Sequence, residues 1–190
     1  MNEPNRLLDS VEQKLLDNGQ IFLFGDIEEP LSLEILKQLE YLHLRRKKRI
    51  NLYINSNGGC PDCAYSIVDK IQELIEKRYI INTIVCGKAY SAGGIVLAYG
   101  KMRYATANST IMLHPSSYEM GPDYSKFQKK YTDFFSKFED EAIQKLAIRC
   151  GHKTKRDREI FAARVSESLW LTAQEAITMG VIDKIWNDNK

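Results

Sequence analysis

Two short apolar runs, INLYIN (50–55) and YIINTIVCG (79–87), bracket a stretch whose apolar residues recur every three or four positions, CAYSIVDKIQELIEK (63–77). A strand, an amphipathic helix and a second strand in that order make a parallel unit, because antiparallel neighbours would need only a short turn. The same alternation runs through much of the chain. QIFLFGDI (20–27) reads as a buried strand that ends in a Gly turn, and 32–42 carries apolar residues at 33, 36, 39 and 42, with Ser32 as its N-cap. SAGGIVLAYG (91–100) is apolar all round, so it reads as a buried helix. Strands follow near Met102–Ala105 and at STIMLH (109–114). Such alternation defines a layered α/β fold built on a mostly parallel sheet.

The last third changes character. Residues 125–150 place Phe127, Tyr131, Phe134, Phe138, Ala142 and Leu146 three or four apart. A helix of that length exceeds the usual 11–12 residues, and its aromatic stripe needs a surface to bury it. Another subunit is the natural candidate. Thr172-Ala-Gln-Glu175 is a capping box that opens a short helix ending at Gly180, and VIDKIW (181–186) reads as a final strand.

With 190 residues the chain is the size of one domain, set out as an N-terminal segment over 1–18, expected to be mobile, and a single domain over 19–190. Twenty-seven Lys and Arg against 25 Asp and Glu give a net charge of +2, which signals neither a nucleic-acid nor a membrane partner. The run Arg45-Arg46-Lys47-Lys48-Arg49 reads as a solvated loop before a strand. No apolar stretch suits a secretory leader or a membrane span, so a cytoplasmic location is expected. The four cysteines do not suggest a disulfide framework in a chain this long.

Four local features bear on chemistry. Ser91, in Gly87-Lys-Ala-Tyr-Ser-Ala-Gly-Gly94, stands between a strand end and a helix start. Free backbone N–H groups and a positive dipole end meet a nucleophile there, although most Ser residues so placed are only caps. Gly58-Gly59 follows INLYIN directly and can turn N–H groups toward a ligand, to form an oxyanion hole with the N–H of Ala92. As a lone feature it reads more readily as a tight turn. His114 ends STIMLH, a suitable place for a general base, whereas His43 and His152 lie at helix ends and read as surface residues. Cys60-Pro-Asp-Cys63 has the spacing of a redox motif at a helix start, set against the plainer reading of two small residues packed near the Gly turn.

In order and spacing these features resemble the ClpP family of self-compartmentalised serine peptidases, over about Gly19 to Trp186. QIFLFGDIEE, INLYINSNGG, VCGKAYSAGGIVLAYGKMRYATANSTIMLH and LTAQEAITMGVIDKI are each similar to a family segment. The resemblance implies a ClpP/crotonase-like layered β-sheet with flanking helices and a long handle helix, here 125–150. It implies heptameric rings stacked in pairs, of this chain or paralogues, fed by a Clp-type ATPase unfoldase and acting on peptide or protein substrates. It also implies Ser91 as nucleophile, His114 as base and the N–H groups of Gly59 and Ala92 as oxyanion donors, with no metal or organic cofactor.

The chain departs from the family pattern at several points. Asn57 stands where the motif has Pro, and Pro115 follows His114 one residue early. The family's acid lies eight residues before the Ala of the Glu-Ala pair, and counting back eight from Ala176 reaches Ser168. Its neighbour Glu167 is the alternative acid. The stretch after Gly151 is longer than the family's, and residues 1–18 lack the apolar pattern of the family's N-terminal loop. The expected function is a serine endopeptidase. The competing readings are a catalytically weak or inactive structural subunit of a mixed ring, and an acyl-CoA enzyme of the crotonase type.

Overall fold

A computed structural model of the chain describes residues 6–115 and 128–187. Seven strands among them form one sheet. Its main path runs β1 (Gln20–Phe24), β2 (Arg49–Ser56), β3 (Ile80–Tyr90), β4 (Arg103–Ala105) and β7 (Lys184–Ile185), all parallel. β3 serves two partners. Its residues Thr83–Val85 pair with β4, and beyond Gly87, at φ 102, its residues Lys88–Tyr90 pair with β5 (Thr110–Leu113). β5 pairs antiparallel with β6 (Leu169–Thr172), so the sheet branches at the far end of β3.

The parallel units arise as the sequence periodicity requires. α2 (Glu29–Leu44) and α3 (Pro61–Glu76) follow β1 and β2 and pack on each other. α3 buries Ala64, Ile67, Val68, Ile71 and Leu74, one face at helical spacing. Ile50, Leu52 and Ile54 of β2 are buried by alternation. Each fully buried Leu or Ile contributes about 1.5–3 kcal/mol relative to exposure, so these stripes fix the layering. α4 (Ala92–Ala98) follows β3 and is buried almost throughout.

Four elements differ from the sequence reading. β1 is an edge strand, with Ile21 and Leu23 inward but Phe22 and Phe24 exposed against Tyr53 and each other. Ser32 is not a cap. Glu28 is the N-cap of α2, and Pro30 occupies the first turn, where its missing N–H costs nothing. Ser32 is instead buried and donates its hydroxyl to the Cys63 carbonyl of α3 (3.1 Å). Residues 6–17, set apart as an N-terminal segment, form helix α1 (Arg6–Asp17), tied to α2 where Tyr41 donates its hydroxyl to Asp17 (2.7 Å). The last strand is only Lys184–Ile185, because Val181 and Ile182 bury themselves in the turn before it.

The handle lies at α5 (Gln128–Arg149); residues 125–127 of the expected helix are outside the described residues. α6 (Lys155–Ser166) and α7 (Ala173–Thr178) follow it, and α7 opens on the expected capping box of Thr172 and Glu175. No helix among the described residues is long and apolar enough to cross a membrane.

An ion pair between buried Arg103 and partly buried Asp183 closes the end of the sheet. Arg103 of β4 donates through Nη2 and Nε to the Asp183 carboxylate (2.6 and 3.1 Å), and through Nη1 to the carbonyls of Arg149 and Gly180 (3.0 and 2.9 Å). It thus joins β4, the end of α5 and the loop after α7. Burial opposes ionisation of Asp183, but hydrogen bonds and charge from Arg103 outweigh it and hold the carboxyl below its ordinary value. A carboxyl lowered on folding stabilises the fold above its unfolded pKa, and that contribution is lost as pH falls through the lower folded value. Arg103→Met leaves a partly buried carboxylate and two carbonyls unpaired and is expected to cost about 2–4 kcal/mol at neutral pH. For a chain of this size that lowers the melting temperature by about 10 °C, with the deficit shrinking in acid as Asp183 protonates. A scanning melt at neutral and acid pH checks both; an equal deficit at both would show that the pair's charge is not what matters.

Candidate active site

β3 runs straight into α4 with only Ser91 between them, so the chain must reverse direction within one residue. Ser91 does so at φ 52 and ψ −121, a region non-glycine residues rarely occupy. Hydrogen bonds on both sides hold it there. Its N–H donates to the Met112 carbonyl of β5 (2.9 Å), and its carbonyl accepts from the N–H groups of Gly94 and Ile95 (2.9 and 3.1 Å). The glycines after it are needed for close approach: a Cβ on Gly94 would lie 2.7 Å from Leu113 Cδ2 and 3.0 Å from the Met112 carbonyl oxygen. This geometry presents the hydroxyl at the sheet end, as in a nucleophile elbow.

The β3–β5 register aligns Tyr90 with Met112, so Ser91, one residue on, and His114, two residues on, lie together at the strand ends. His114 Nε2 lies 2.8 Å from Ser91 Oγ. With the hydroxyl as donor, Nε2 is the basic nitrogen and Nδ1 carries the proton.

The Gly58-Gly59 turn packs directly on this pair. Both glycines have positive φ (108 and 138), and a Cβ on Gly58 would stand 2.6 Å from Ser91 Cβ and 3.2 Å from the Ala92 nitrogen. A parallel bridge to Ile27 uses the Gly58 carbonyl and the Cys60 N–H, which turns the N–H of Gly59 to the opposite side. Where the family motif has Pro, Asn57 donates its amide to Asp26 Oδ1 (3.2 Å), so a side-chain bond restrains the turn in place of a ring.

The antiparallel β5–β6 register pairs Leu113 with Leu169, and the next position places Ser168 across from His114. Ser168 sits at φ 64 with an exposed side chain. Glu167 is one residue further back, the exposed C-cap of α6. Among the described residues neither side chain hydrogen-bonds His114.

Ser91 and His114 open onto a narrow cleft whose walls include Tyr65, Tyr99, Leu113, Leu146 and one carboxylate, Glu139 of α5. The sequence reading missed Glu139. Its signal was the spacing 139, 142, 143, 146, which sets a charge on the inward stripe of α5. The other histidines are less exposed than expected. His43 Nδ1 contacts the Tyr79 hydroxyl (2.9 Å), and His152 stacks on Phe161 and reaches the Met179 carbonyl (3.2 Å).

A Ser on a strained strand–helix turn, bonded to a His on the adjoining strand beside a glycine turn, is an arrangement suited to acyl transfer. The chain belongs to the Clp protease family: the family model described as Clp protease matches residues 3–189. It is 31% identical over 194 residues, covering 97% of this chain and 88% of the relative, to the ATP-dependent Clp protease proteolytic subunit 1 of Protochlamydia amoebophila (strain UWE25). It is therefore similar over nearly its whole length to the proteolytic subunits of a peptidase family.

Proposed function

We propose that the protein is a serine endopeptidase subunit in which Ser91 forms an acyl-enzyme and His114 is the base. The observation that carries this reading is the 2.8 Å contact between Ser91 Oγ and His114 Nε2, made by a Ser held at φ 52. Ser91 Oγ attacks the scissile carbonyl as its proton passes to Nε2. The oxyanion lies against the N–H groups of Gly59 and Ala92, each worth about 10²–10³ in turnover. The imidazolium then protonates the leaving amine, and water, activated by the same nitrogen, releases the acyl group.

Ser168 takes the third position. A carboxylate there would orient the imidazole and stabilise its cation, whereas a hydroxyl can at most orient it and brings no charge. Losing the acid's charge costs about 10⁴ in turnover, so activity is weak. The same residue supports the second reading, an inactive or weak structural subunit working beside active paralogues in a mixed ring. In either case the subunits assemble as stacked rings, and a Clp-type ATPase feeds substrates to the enclosed sites.

Hydrolysis of a fluorogenic peptide by the assembled protein tests this reading. Ser168→Asp is expected to raise the rate at least about tenfold, since it restores part of the lost charge. Asp tolerates the left-handed conformation of position 168. Glu167→Gln is expected to do little. If Glu167→Gln removes the activity instead, Glu167 is the acid. If only Glu139→Gln removes it, the charge comes from the handle across the cleft. A wild-type rate of zero that Ser168→Asp does not restore favours the structural subunit.

A further inference from the structure

Outside the Ser–His site, one pair of reactive side chains is built into the fold. Cys60 is the N-cap of α3 and Cys63 lies in its first turn, so the two share one side of the helix end. The backbone around them is fixed. Cys60 donates its N–H to the Ile27 carbonyl (2.8 Å), Pro61 sets the first helical φ, and the Cys63 carbonyl accepts hydroxyls from Ser32 and Ser66 (3.1 and 2.7 Å). Both thiols are partly exposed and line one surface cleft with Glu28, Glu29 and Leu36. Among the described residues no three His, Cys, Asp or Glu side chains converge as a metal site, so the pair lacks the further ligands a structural zinc needs.

We infer that Cys60 and Cys63 are a redox-active dithiol that closes to a disulfide by exchange with a small-molecule disulfide of the glutathione class. Thiols three residues apart on one side of a fixed helix end, facing the same cleft, are placed for closure by side-chain rotation. The two have separate roles. Burial, and then contact with Cys60, push the Cys63 thiol up to about 11, so it carries little thiolate and attack falls to Cys60. Cys60 thiolate attacks one sulfur of the small disulfide, forms a mixed disulfide and expels a thiolate, which takes up a proton. Cys63 then loses its proton and attacks Cys60 Sγ, expelling the second small thiol. Two protein thiols are oxidised and one disulfide is reduced to two thiols. Cys150 has no such part: it is buried, and burial pushes its thiol up to about 11 as well.

The test is independent of peptidase activity. The assembled protein is equilibrated in buffers of increasing oxidised-to-reduced glutathione ratio, quenched in acid, alkylated and peptide-mapped. The expected result is a single Cys60–Cys63 disulfide that forms and reverses with the ratio while Cys150 stays alkylatable. Cys63→Ser should accumulate a glutathione adduct at Cys60, and Cys60→Ser should leave Cys63 at least tenfold slower to react than Cys60. Cys60 and Cys63 both remaining alkylatable in fully oxidised buffer, or separate stable adducts at each without closure, would overturn the inference.

Discussion

The Ser91→Ala and His114→Ala variants are expected to lose peptide hydrolysis equally, and the double variant to be no slower than either. In the proposed mechanism the two groups act as one unit, because Ser91 Oγ becomes a nucleophile only as His114 Nε2, 2.8 Å away, takes its proton. Removing the nucleophile or base from an intact triad costs about 10⁶ in turnover. A triad without its carboxylate has already lost about 10⁴ of that. With Ser168 in the third position as proposed, the wild-type chain should therefore lose about 10²-fold on either substitution. In a Ser168→Asp background the same substitutions should cost more, by the factor that the new carboxylate restored. Additive losses would mean that the two residues act separately and that their contact is structural.

The second large effect concerns assembly. Phe134 is 63% exposed and Phe138 37% exposed on the outer side of α5, a costly arrangement for a lone protomer. Phe127 lies outside the described residues, and so does the side chain of Tyr131. Phe134→Glu with Phe138→Glu would place two carboxylates in the proposed contact between rings, each costing several kcal/mol without a partner. The expected outcome in native mass measurement is loss of stacked rings. Phe138 also packs edge-on against Tyr65 of its own chain (5.7 Å), so part of its effect falls on the fold. Phe134 meets its helix neighbour Phe135, which makes Phe134→Glu alone the cleaner variant. A wild-type species at the single-chain mass of 21.9 kDa, at micromolar concentration, would contradict the ring.

The sequence carried different parts of this structure unequally. β2, α3 and β3 were legible because period two and period 3.6 follow one another cleanly over 50–87, and the capping box at Thr172 is a local signal with a local cause. β1 was harder: QIFLF is apolar throughout, and only its place at the sheet edge leaves Phe22 and Phe24 outward. α6 escaped notice because KRDREIFAARVS buries just Phe161 and Val165, too few to mark a stripe. β6 is four residues long and begins after a left-handed Ser168, so neither length nor alternation announces it. The meeting of Ser91 with His114 was anticipated from motif order, but the register that places Ser168 across from His114 depends on an antiparallel pairing no local pattern encodes. Arg103 and Asp183 lie 80 residues apart, and their pairing is a property of the folded sheet end.

The central claim is that Ser91 is an activated nucleophile. The direct measurement is reaction of the folded, assembled protein with a fluorophosphonate probe, followed by mass mapping of the modified residue. A single adduct on Ser91 is expected, absent in Ser91→Ala and strongly reduced in His114→Ala. An adduct at another serine, or none on protein shown to be folded and assembled, would contradict it.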